Sequence, residues 1–296
     1  MIRSFIKKNH IEYYENISLK KYNTYRLDTK AKYIFFPKNI EELIKLLKLI
    51  KDNKLKYVVL GNGSNVIFKD EYYDGIVIKL DKFNNLKIDK NKIIVGAGYP
   101  LIGLVQETVN NNLSGLEFAA GIPGYIGASV AMNAGAYKHS ISEVVESVKV
   151  INSNLEVIDI PNNKLEFSYR NSIFKSKKDY IIIECTLKLI VGSKEEMLEK
   201  IVKRKQKRIK TQPLELPSAG SVFRNPDNLF AGKLIEDSNL KGYRVGGAMI
   251  SEKHANFIVN IDKAKGIDII KIIDKVKKEV KNNYDVDLIL EQIIID

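Results

Sequence analysis

The sequence has one cysteine, three histidines and no long apolar run, and each shortage excludes a class of protein. A single cysteine cannot build a disulfide framework, and Cys185 lies in the apolar run YIIIECTLKLI, so we expect a buried, unreactive thiol. The histidines and the cysteine lack metal-ligand spacing, so we expect no metal site. No apolar run approaches the ~18 residues of a membrane helix, and the first residues lack a signal-peptide core. These features predict a cytoplasmic protein with no membrane partner.

Positive charge is in excess, because 48 lysines and arginines stand against 36 acidic residues, a net charge of +12. Most lysines are scattered or lie on the polar faces of predicted helices, and only KIVKRKQKRIK (200–210) is a dense basic run. No helix-turn-helix, zinc-finger or RNA-binding signature accompanies this run. We therefore expect no nucleic-acid partner and keep a basic nucleic-acid-binding protein as an unfavoured alternative. The charge favours phosphorylated small molecules instead.

Helix and strand patterns alternate along the chain. Residues 39–52 carry apolar side chains on one helical face behind an Asn39-x-x-Glu42 capping box, which predicts a helix. Further helices are predicted at 101–111, 195–210, 231–239 and about 265–283. Strands are predicted at 56–61, 75–80, 92–98, 147–152, 155–160, 179–190, around FIVNI (257–261), and in the terminal DLILEQIII (287–295). The pattern changes near 205–213, where we place a domain boundary.

Three glycine-rich turns, at 61–63, 96–98 and 121–127, interrupt these patterns. LGNGSN (60–65) matches neither a dinucleotide fingerprint nor a P-loop, so on its own it is more typical of a hairpin. The stretch 115–137 is rich in small residues, which predicts either a tightly packed helix–loop or a backbone surface that a large flat ligand approaches closely. The three turns together favour a dinucleotide ligand.

Six ordered motifs carry a resemblance to a known family. They are LGNGSN, GAG, GLEFAAGIPGYIGASVAMNAGAY, SYRNSIF, PSAGSVFRNP and LIEDSNLKGYRVGGAMISEKHANFIVN. Over nearly the whole chain they resemble the UDP-N-acetylenolpyruvoylglucosamine reductase (MurB) family, in the branch that lacks an extra tyrosine loop after SYRNSIF. The resemblance implies an α+β fold. A two-lobed FAD-binding region of the vanillyl-alcohol-oxidase (PCMH) type would occupy residues 1–80 and 81–206, followed by an α+β substrate-binding domain at 207–296.

The same resemblance implies an activity. Members of the family use NADPH and non-covalently bound FAD to reduce UDP-N-acetylglucosamine enolpyruvate to UDP-N-acetylmuramate in peptidoglycan precursor synthesis. A flavin oxidase on the same scaffold is the alternative. Such oxidases often tether FAD through histidine or cysteine, and here His139 is the only nearby candidate. The implied partner is a small-molecule UDP-sugar, and a monomer is the favoured oligomeric state.

Matching motifs assign residues to this activity. The implied FAD-binding residues are Gly61, Asn62, Gly63, Ser64, Asn65, Gly121, Ile122, Pro123, Gly124, Ile126, Gly127 and Ala128. The implied catalytic residues are Ser221 as proton donor, Arg170 and Glu291, and the candidates for binding the UDP end of the substrate are Tyr169, Arg224, Asn225 and Lys233. The chain departs from many relatives at Tyr125, Ala128, Lys138, His139 and Ile293.

The catalytic residue types suit an enolpyruvyl reduction, although each also has a plainer interpretation. Arg170 has a fork that binds a carboxylate in bidentate fashion, or it is a surface arginine. Glu291 interrupts the apolar run LILEQIIID, so we expect it to be buried with Ile289 and Ile293, rather than on a face that meets water. Ser221 has no histidine in its motif, so its hydroxyl suits only a strongly basic acceptor such as an enolate carbon. Without the other motifs it is a structural turn residue.

Overall fold

The computed structural model describes residues 2–296, which divide into two compact units. The first unit contains the residues up to Glu15, together with Tyr33–Asn62 and Gly75–Gln206. The second contains Asn16–Lys32, Gly63–Asp74 and Lys207–Asp296. The second unit therefore combines the C-terminal third of the chain with two short segments from the N-terminal part.

Seven α-helices and eighteen short strands are present in the described residues. The helices are α1 (Ile2–Asn9), α2 (Ile40–Asp52), α3 (Leu101–Asn110), α4 (Ile126–Ala131), α5 (Lys194–Thr211), α6 (Ala231–Asp237) and α7 (Gly266–Tyr284). The strands are β1 (Glu12–Ser18), β2 (Lys30–Phe36), β3 (Tyr57–Val59), β4 (Val66–Phe68), β5 (Tyr72–Ile78), β6 (Leu86–Asp89), β7 (Lys92–Gly96), β8 (Leu113–Ser114), β9 (Gly135–Ala136), β10 (His139–Ser140), β11 (Val145–Ile151), β12 (Val157–Pro161), β13 (Ile181–Lys188), β14 (Ile190–Val191), β15 (Arg244–Val245), β16 (Ala248–Ile250), β17 (Ile258–Asn260) and β18 (Ile293–Ile295).

The first unit contains a five-stranded antiparallel sheet in the order β12-β11-β13-β7-β6. β13 is apolar along most of its length and lies between β11 and β7, so its side chains enter the core, including the fully buried Cys185. The expected burial of Cys185 is confirmed, and burial raises the pKa of its thiol, which disfavours the reactive thiolate. A second sheet, in the order β1-β2-β5-β3, includes the parallel pair β3 and β5.

Helix α2 forms as the sequence predicts. The Asn39 side chain accepts a hydrogen bond from the Glu42 N–H over 2.9 Å, and the Glu42 carboxylate accepts one from the Lys38 N–H over 3.0 Å. These bonds satisfy N–H groups that have no partner within the helix. The helix then buries one apolar face, made of Leu43, Leu46, Leu47 and Ile50.

The second unit is built around α7, whose buried face packs in a core with the three-stranded antiparallel sheet β15-β16-β17. The predicted extent of the terminal strand, residues 287–295, is wrong. Only Ile293–Ile295 forms a strand, parallel to β4, while Leu290 makes an isolated bridge with Phe223. The segment thus changes partner at Glu291, so it does not form one continuous central strand.

No helix within residues 2–296 has the length and apolar character to cross a membrane. The same residues contain no group of three or more histidine, cysteine, aspartate or glutamate side chains arranged to hold a metal ion.

Candidate active site

The first glycine turn, Gly61–Asn65, connects β3 to β4. Gly63 has φ +66°, and a Cβ there would lie 2.1 Å from the Tyr22 carbonyl oxygen, so only glycine fits. Within residues 2–296, no protein group accepts a hydrogen bond from the backbone N–H groups of residues 61–65. Consecutive unpaired N–H groups are suited to bind an anion.

The second glycine turn leads into α4. The Gly127 N–H donates to the Ala97 carbonyl oxygen over 2.9 Å, and a Cβ on Gly127 would lie 2.9 Å from the Ala97 Cβ. A Cβ on Gly61 would likewise lie 2.9 Å from the Ala128 Cβ. Tight packing therefore accounts for these two glycines. The Asn62 side chain also donates to the Pro123 carbonyl oxygen over 3.0 Å, which joins the first turn to the second.

Lys79 lies beside both glycine turns, and sequence reasoning missed it. Its side chain is 3% exposed and its ammonium donates to the Gly61 carbonyl oxygen over 2.5 Å. The same ammonium lies 3.2 Å from an Asp81 carboxylate oxygen and 5.0 Å from the centre of the Tyr125 ring. Burial lowers the pKa of Lys79, while Asp81 opposes that shift. A lysine inside the apolar run GIVIKL was the available signal.

The two turns fit a bound FAD. The first offers unpaired N–H groups for a pyrophosphate, and the second has the exposed residues Pro123 and Ala128 on its surface. Of the predicted contacts in the second turn, Ile126 and Gly127 are buried, Pro123 and Ala128 are exposed, and Gly121, Ile122 and Gly124 are partly buried. His139, the candidate for covalent attachment, is about half exposed and pairs with Glu143 at 2.8 Å.

Arg170 lies in a tight turn of the first unit. Ser168 and Asn171 exchange backbone hydrogen bonds, which leaves Tyr169 and Arg170 at the corner, and Arg170 has φ +55°. The turn is anchored by Asn133, whose side chain donates to the Ser168 carbonyl oxygen over 2.8 Å. The Arg170 guanidinium donates to the Gly135 carbonyl oxygen over 2.8 Å and stacks on the Tyr169 ring. Tyr169 itself is 58% exposed, so this corner presents a cation and an aromatic ring.

Ser221 lies in a turn of the second unit. Gly220 precedes it with φ +75°, and the Ser221 backbone forms a bridge with Phe257. Asn256 holds the next residues, because its backbone carbonyl accepts from the Val222 N–H and its side chain exchanges two hydrogen bonds with Phe223. Within residues 2–296 the Ser221 hydroxyl has no hydrogen-bond partner, so no base in those residues activates it.

Glu291 lies on the segment next to Ser221. Its N–H donates to the Val222 carbonyl oxygen over 2.8 Å, and its own carbonyl oxygen accepts from the Asn65 side chain over 3.2 Å. The prediction that it is buried with Ile289 and Ile293 is wrong, because Glu291 is partly buried and those isoleucines are 61% and 47% exposed. The physical reason is that the segment is not a central strand, so its outer face has no covering layer in the second unit.

The candidates for the UDP end of the substrate differ in their surroundings. The Arg224 Nε is buried and has no hydrogen-bond partner in the described residues, an unusual state for a cationic donor. The Asn225 side chain instead accepts from the Ala231 N–H at the start of α6, over 3.1 Å. Lys233 pairs with Asp237 at 2.6 Å, and this hydrogen bond raises the pKa of Lys233. The exposed Asn225 and Lys233 thus already have structural partners.

Comparison with known proteins identifies the family. Residues 212–295 match the model of the C-terminal domain of UDP-N-acetylenolpyruvoylglucosamine reductase, and residues 31–160 match an FAD-binding domain. A reductase of that name from Caldicellulosiruptor bescii is 42% identical over 95% of this chain and 90% of its own length. The corresponding reductase 1 of Bacillus cereus is 41% identical over 95% and 93%. The chain belongs to the UDP-N-acetylenolpyruvoylglucosamine reductase family.

A crystal structure of the family supports the same assignment. The reductase from Thermus caldophilus is 34% identical, covers 97% of this chain and 99% of its own, and has a TM-score of 0.82. The family, the α+β fold class and the FAD-binding region predicted from the six motifs are therefore confirmed.

Proposed function

We propose that this chain reduces UDP-N-acetylglucosamine enolpyruvate to UDP-N-acetylmuramate with NADPH and non-covalently bound FAD, and that Ser221 delivers the proton. The main support for Ser221 as the proton donor is the environment of its hydroxyl in the turn. A hydroxyl without a protein partner lies beside a positive-φ glycine, on backbone that is hydrogen-bonded to the Glu291 segment. Family membership and the reductase names of relatives at 41–42% identity support the overall reaction.

The residues proposed to hold FAD are those of the two glycine turns, Gly61–Asn65 and 121–128 without Tyr125. The unpaired N–H groups of the first turn would bind the pyrophosphate, and Lys79 fixes that turn through the Gly61 carbonyl. When bound, FAD accepts a hydride from NADPH and donates a hydride to the terminal carbon of the enolpyruvyl group. We propose that FAD binds without a covalent tether, and His139, the candidate for such a tether, is paired with Glu143.

Ser221 completes the addition across the enolpyruvyl double bond. Hydride addition to the terminal carbon breaks the π bond and leaves the electron pair on the neighbouring carbon and its carboxylate. The Ser221 O–H bond then breaks, its proton forms the new C–H bond, and the serine alkoxide takes a proton from solvent. A hydroxyl is a weak acid, but an enolate carbon is basic enough to accept from it.

Arg170 and Glu291 are proposed to act on the charge that develops in this step. The guanidinium of Arg170 has five N–H donors, and a bidentate pair with the substrate carboxylate would stabilise the enolate. Glu291 is held by backbone bonds next to Ser221, where a carboxyl group would polarise the same carboxylate. The positive charge of Arg170 would oppose the negative charge that develops in this step, and stabilisation of developing charge is usually the largest contribution to catalysis.

Arg224, Tyr169, Asn225 and Lys233 are proposed for the UDP end of the substrate. Arg224 has the strongest support, since its buried Nε lacks a partner that a diphosphate oxygen would supply. Tyr169 offers an exposed ring, and Lys233 an exposed cation.

The proposal includes the organisation and location of the protein. We assign the FAD-binding lobes to residues 1–80 and 81–206 and the substrate domain to 207–296. We place the protein as a monomer in the cytoplasm, where NADPH and nucleotide sugars are available.

The direct test is the absorption spectrum of the purified protein, followed by NADPH oxidation with and without UDP-N-acetylglucosamine enolpyruvate. A yellow protein that oxidises NADPH only with the UDP-sugar, and releases its colour into the supernatant on acid precipitation, is expected. Yellow colour that stays in the pellet, with oxygen as the only acceptor, would support the flavin oxidase instead. A colourless protein that binds duplex DNA with a steep salt dependence would support the nucleic-acid alternative.

A further inference from the structure

A buried chain of hydrogen bonds ends at the backbone of the Ser221 turn. Tyr25 and Gln292, for which no motif predicts a role, are 0% and 3% exposed. The Tyr25 hydroxyl donates to Gln292 Oε1 over 3.0 Å. Gln292 Nε2 donates to the carbonyl oxygens of Ala219, over 3.0 Å, and Gly220, over 3.2 Å. All of these residues belong to the second unit, so the chain of bonds runs through its interior to the residue before Ser221.

The chemistry of these groups fixes the direction of each bond. The two backbone carbonyls can only accept, so the amide nitrogen of Gln292 must face them and Oε1 must face Tyr25. Burial raises the pKa of the Tyr25 hydroxyl, so it keeps its proton and remains a donor. A reversed amide would set Oε1 against two carbonyl oxygens, which is unfavourable in a buried site. The amide of Gln292 therefore has one stable orientation.

The backbone immediately before Ser221 needs a side chain that holds it in place. Gly220 has the widest backbone freedom of any residue, and no heavy atom lies within 4 Å of the position a Cβ would take. Packing at that position therefore does not hold Gly220 at φ +75°. On the far side of the turn, the backbone of Ser221 is held by the bridge to Phe257. Gln292 is the side chain that ties the carbonyl of Gly220 to the interior.

Gln292 also follows Glu291 directly, so one segment is bonded to the turn twice. The Glu291 N–H donates to the Val222 carbonyl oxygen, after Ser221, while the Gln292 side chain reaches the carbonyls before Ser221. The backbone of Ser221 is thereby held from both directions by one short stretch of chain. A serine Oγ is only one bond from its Cβ, so the position of the backbone limits the hydroxyl to the few places that the staggered χ1 rotamers reach.

We propose that Gln292, oriented by Tyr25, is a positioning residue that holds the Ser221 hydroxyl for proton delivery. This inference rests on the proposed reductase function. Gln292 and Tyr25 are buried and act through the backbone of Ala219 and Gly220, so they influence the proton step without contacting substrate. Their removal should slow the step that uses Ser221 and spare the step that uses only NADPH.

The test separates the two half-reactions by stopped-flow absorbance in Gln292→Met, Tyr25→Phe and Thr29→Val. Methionine keeps the volume of Gln292 but has no donor, and Tyr25→Phe removes only the hydroxyl. Thr29→Val is the matched control, because it also removes a buried hydrogen bond in the second unit, from Thr29 to the Asp70 carbonyl. The probes are NADPH for reduction and UDP-N-acetylglucosamine enolpyruvate for reoxidation.

We expect Gln292→Met to slow reoxidation by about 10- to 100-fold, as a displaced reacting group does, and Tyr25→Phe by about 3-fold. Reduction by NADPH should stay within about twofold in all three variants, and the solvent deuterium isotope effect on reoxidation should rise in Gln292→Met as proton transfer becomes limiting. Thr29→Val should leave both half-reactions and the isotope effect unchanged.

Two results would overturn the positioning role. One is reoxidation of both Gln292→Met and Tyr25→Phe at the wild-type rate. The other is equal slowing of both half-reactions with an unchanged isotope effect, which indicates general damage to the fold. If Gln292→Met does not fold, Tyr25→Phe decides by the same criteria. A wild-type enzyme that the UDP-sugar does not reoxidise would instead refute the proposed function, and the two failures are thus distinct.

Discussion

The predicted catalytic residues Arg170 and Ser221 each lie in a turn that contains one residue with a left-handed backbone. The position of that residue relative to the catalytic residue differs between the two turns. In the turn 168–171, Arg170 itself has φ +55°. In the turn 219–222, the left-handed residue is Gly220, with φ +75°, and Ser221 follows it. A left-handed conformation costs an L side chain roughly 1–2 kcal/mol and costs glycine almost nothing. In the arginine turn the strain therefore lies at the predicted catalytic residue itself, whereas in the serine turn the left-handed conformation falls on the preceding glycine.

The length of the side chain explains the difference. Arginine reaches its position through four torsions and is anchored at its far end, where the guanidinium donates to the Gly135 carbonyl. The serine hydroxyl has no such anchor in the described residues, so the backbone must position it. The serine turn should therefore be sensitive to backbone changes, and the arginine turn to loss of the guanidinium.

Arg170→Met should have the largest effect among the variants that sharpen this comparison. Loss of a donor that stabilises developing negative charge lowers kcat/KM by about 10²–10³-fold. Arg204→Met is the matched control, because Arg204 also stacks on a tyrosine, Tyr137, in the first unit. Steady-state NADPH oxidation measures both variants. Equal activity of Arg170→Met and Arg204→Met would exclude a role for Arg170 in the reaction.

Gly220→Ala should slow reoxidation by about 10- to 100-fold and lower the free energy of unfolding by about 1–2 kcal/mol. The cause is the backbone conformation and not a steric clash, because no heavy atom lies near the position of the new Cβ. Gly103→Ala in α3 is the control, since its Cβ would make an ordinary 3.5 Å contact and favours the helix. Stopped-flow absorbance and urea unfolding measure the two effects. Wild-type behaviour in Gly220→Ala would show that the serine turn is not set by its backbone.

Lys79→Met should weaken FAD binding by about tenfold, an effect of roughly 1.4 kcal/mol. The variant removes the ammonium that holds the Gly61 carbonyl and leaves Asp81 without its cation. Lys149→Met is the control, because Lys149 pairs with Glu184 at 2.6 Å. Titration of apoprotein with FAD, followed by flavin fluorescence, gives the dissociation constant. An unchanged constant in Lys79→Met would remove Lys79 from the FAD site.

The comparison of glycine with alanine at position 170 should give the smallest effect, with the same sign as at position 220, because both positions have a left-handed backbone. Both Arg170→Gly and Arg170→Ala lose the guanidinium, so their difference reports the backbone alone. Arg170→Gly should be more stable than Arg170→Ala by about 1 kcal/mol in urea unfolding. Equal stability, or a more stable alanine variant, would show that the arginine turn contains no strain at this residue.

The sequence predicts α2, α3, α5, α6 and α7 because their signals are local, but it predicts neither α1 nor the short α4. The cap at Asn39 and the apolar face of α2 lie within one stretch of chain, and both form as expected. The prediction of one continuous terminal strand is wrong because a run of apolar residues does not indicate which strands it pairs with. Leu290 pairs with Phe223 and Ile293 pairs with Val66, so the run is divided and Ile289 stays exposed.

The sequence predicts a residue of the candidate site only where that residue lies in a recognisable motif. Ser221 follows from its ordered neighbours along the chain, whereas the bond between Tyr25 and Gln292 joins residues 267 positions apart. Neither residue has a local pattern that points to the other. Lys79 gave a partial signal as a cation in an apolar strand, but its partner Gly61 is known only from the fold.

Anaerobic stopped-flow absorbance of Ser221→Ala measures directly whether Ser221 delivers the proton. We expect NADPH to reduce the bound flavin of this variant at close to the wild-type rate. Reoxidation by UDP-N-acetylglucosamine enolpyruvate should be slower by about 10³-fold, within the range for loss of a general acid. Reoxidation at the wild-type rate would exclude Ser221 as the proton donor, because the proton would then come from another group.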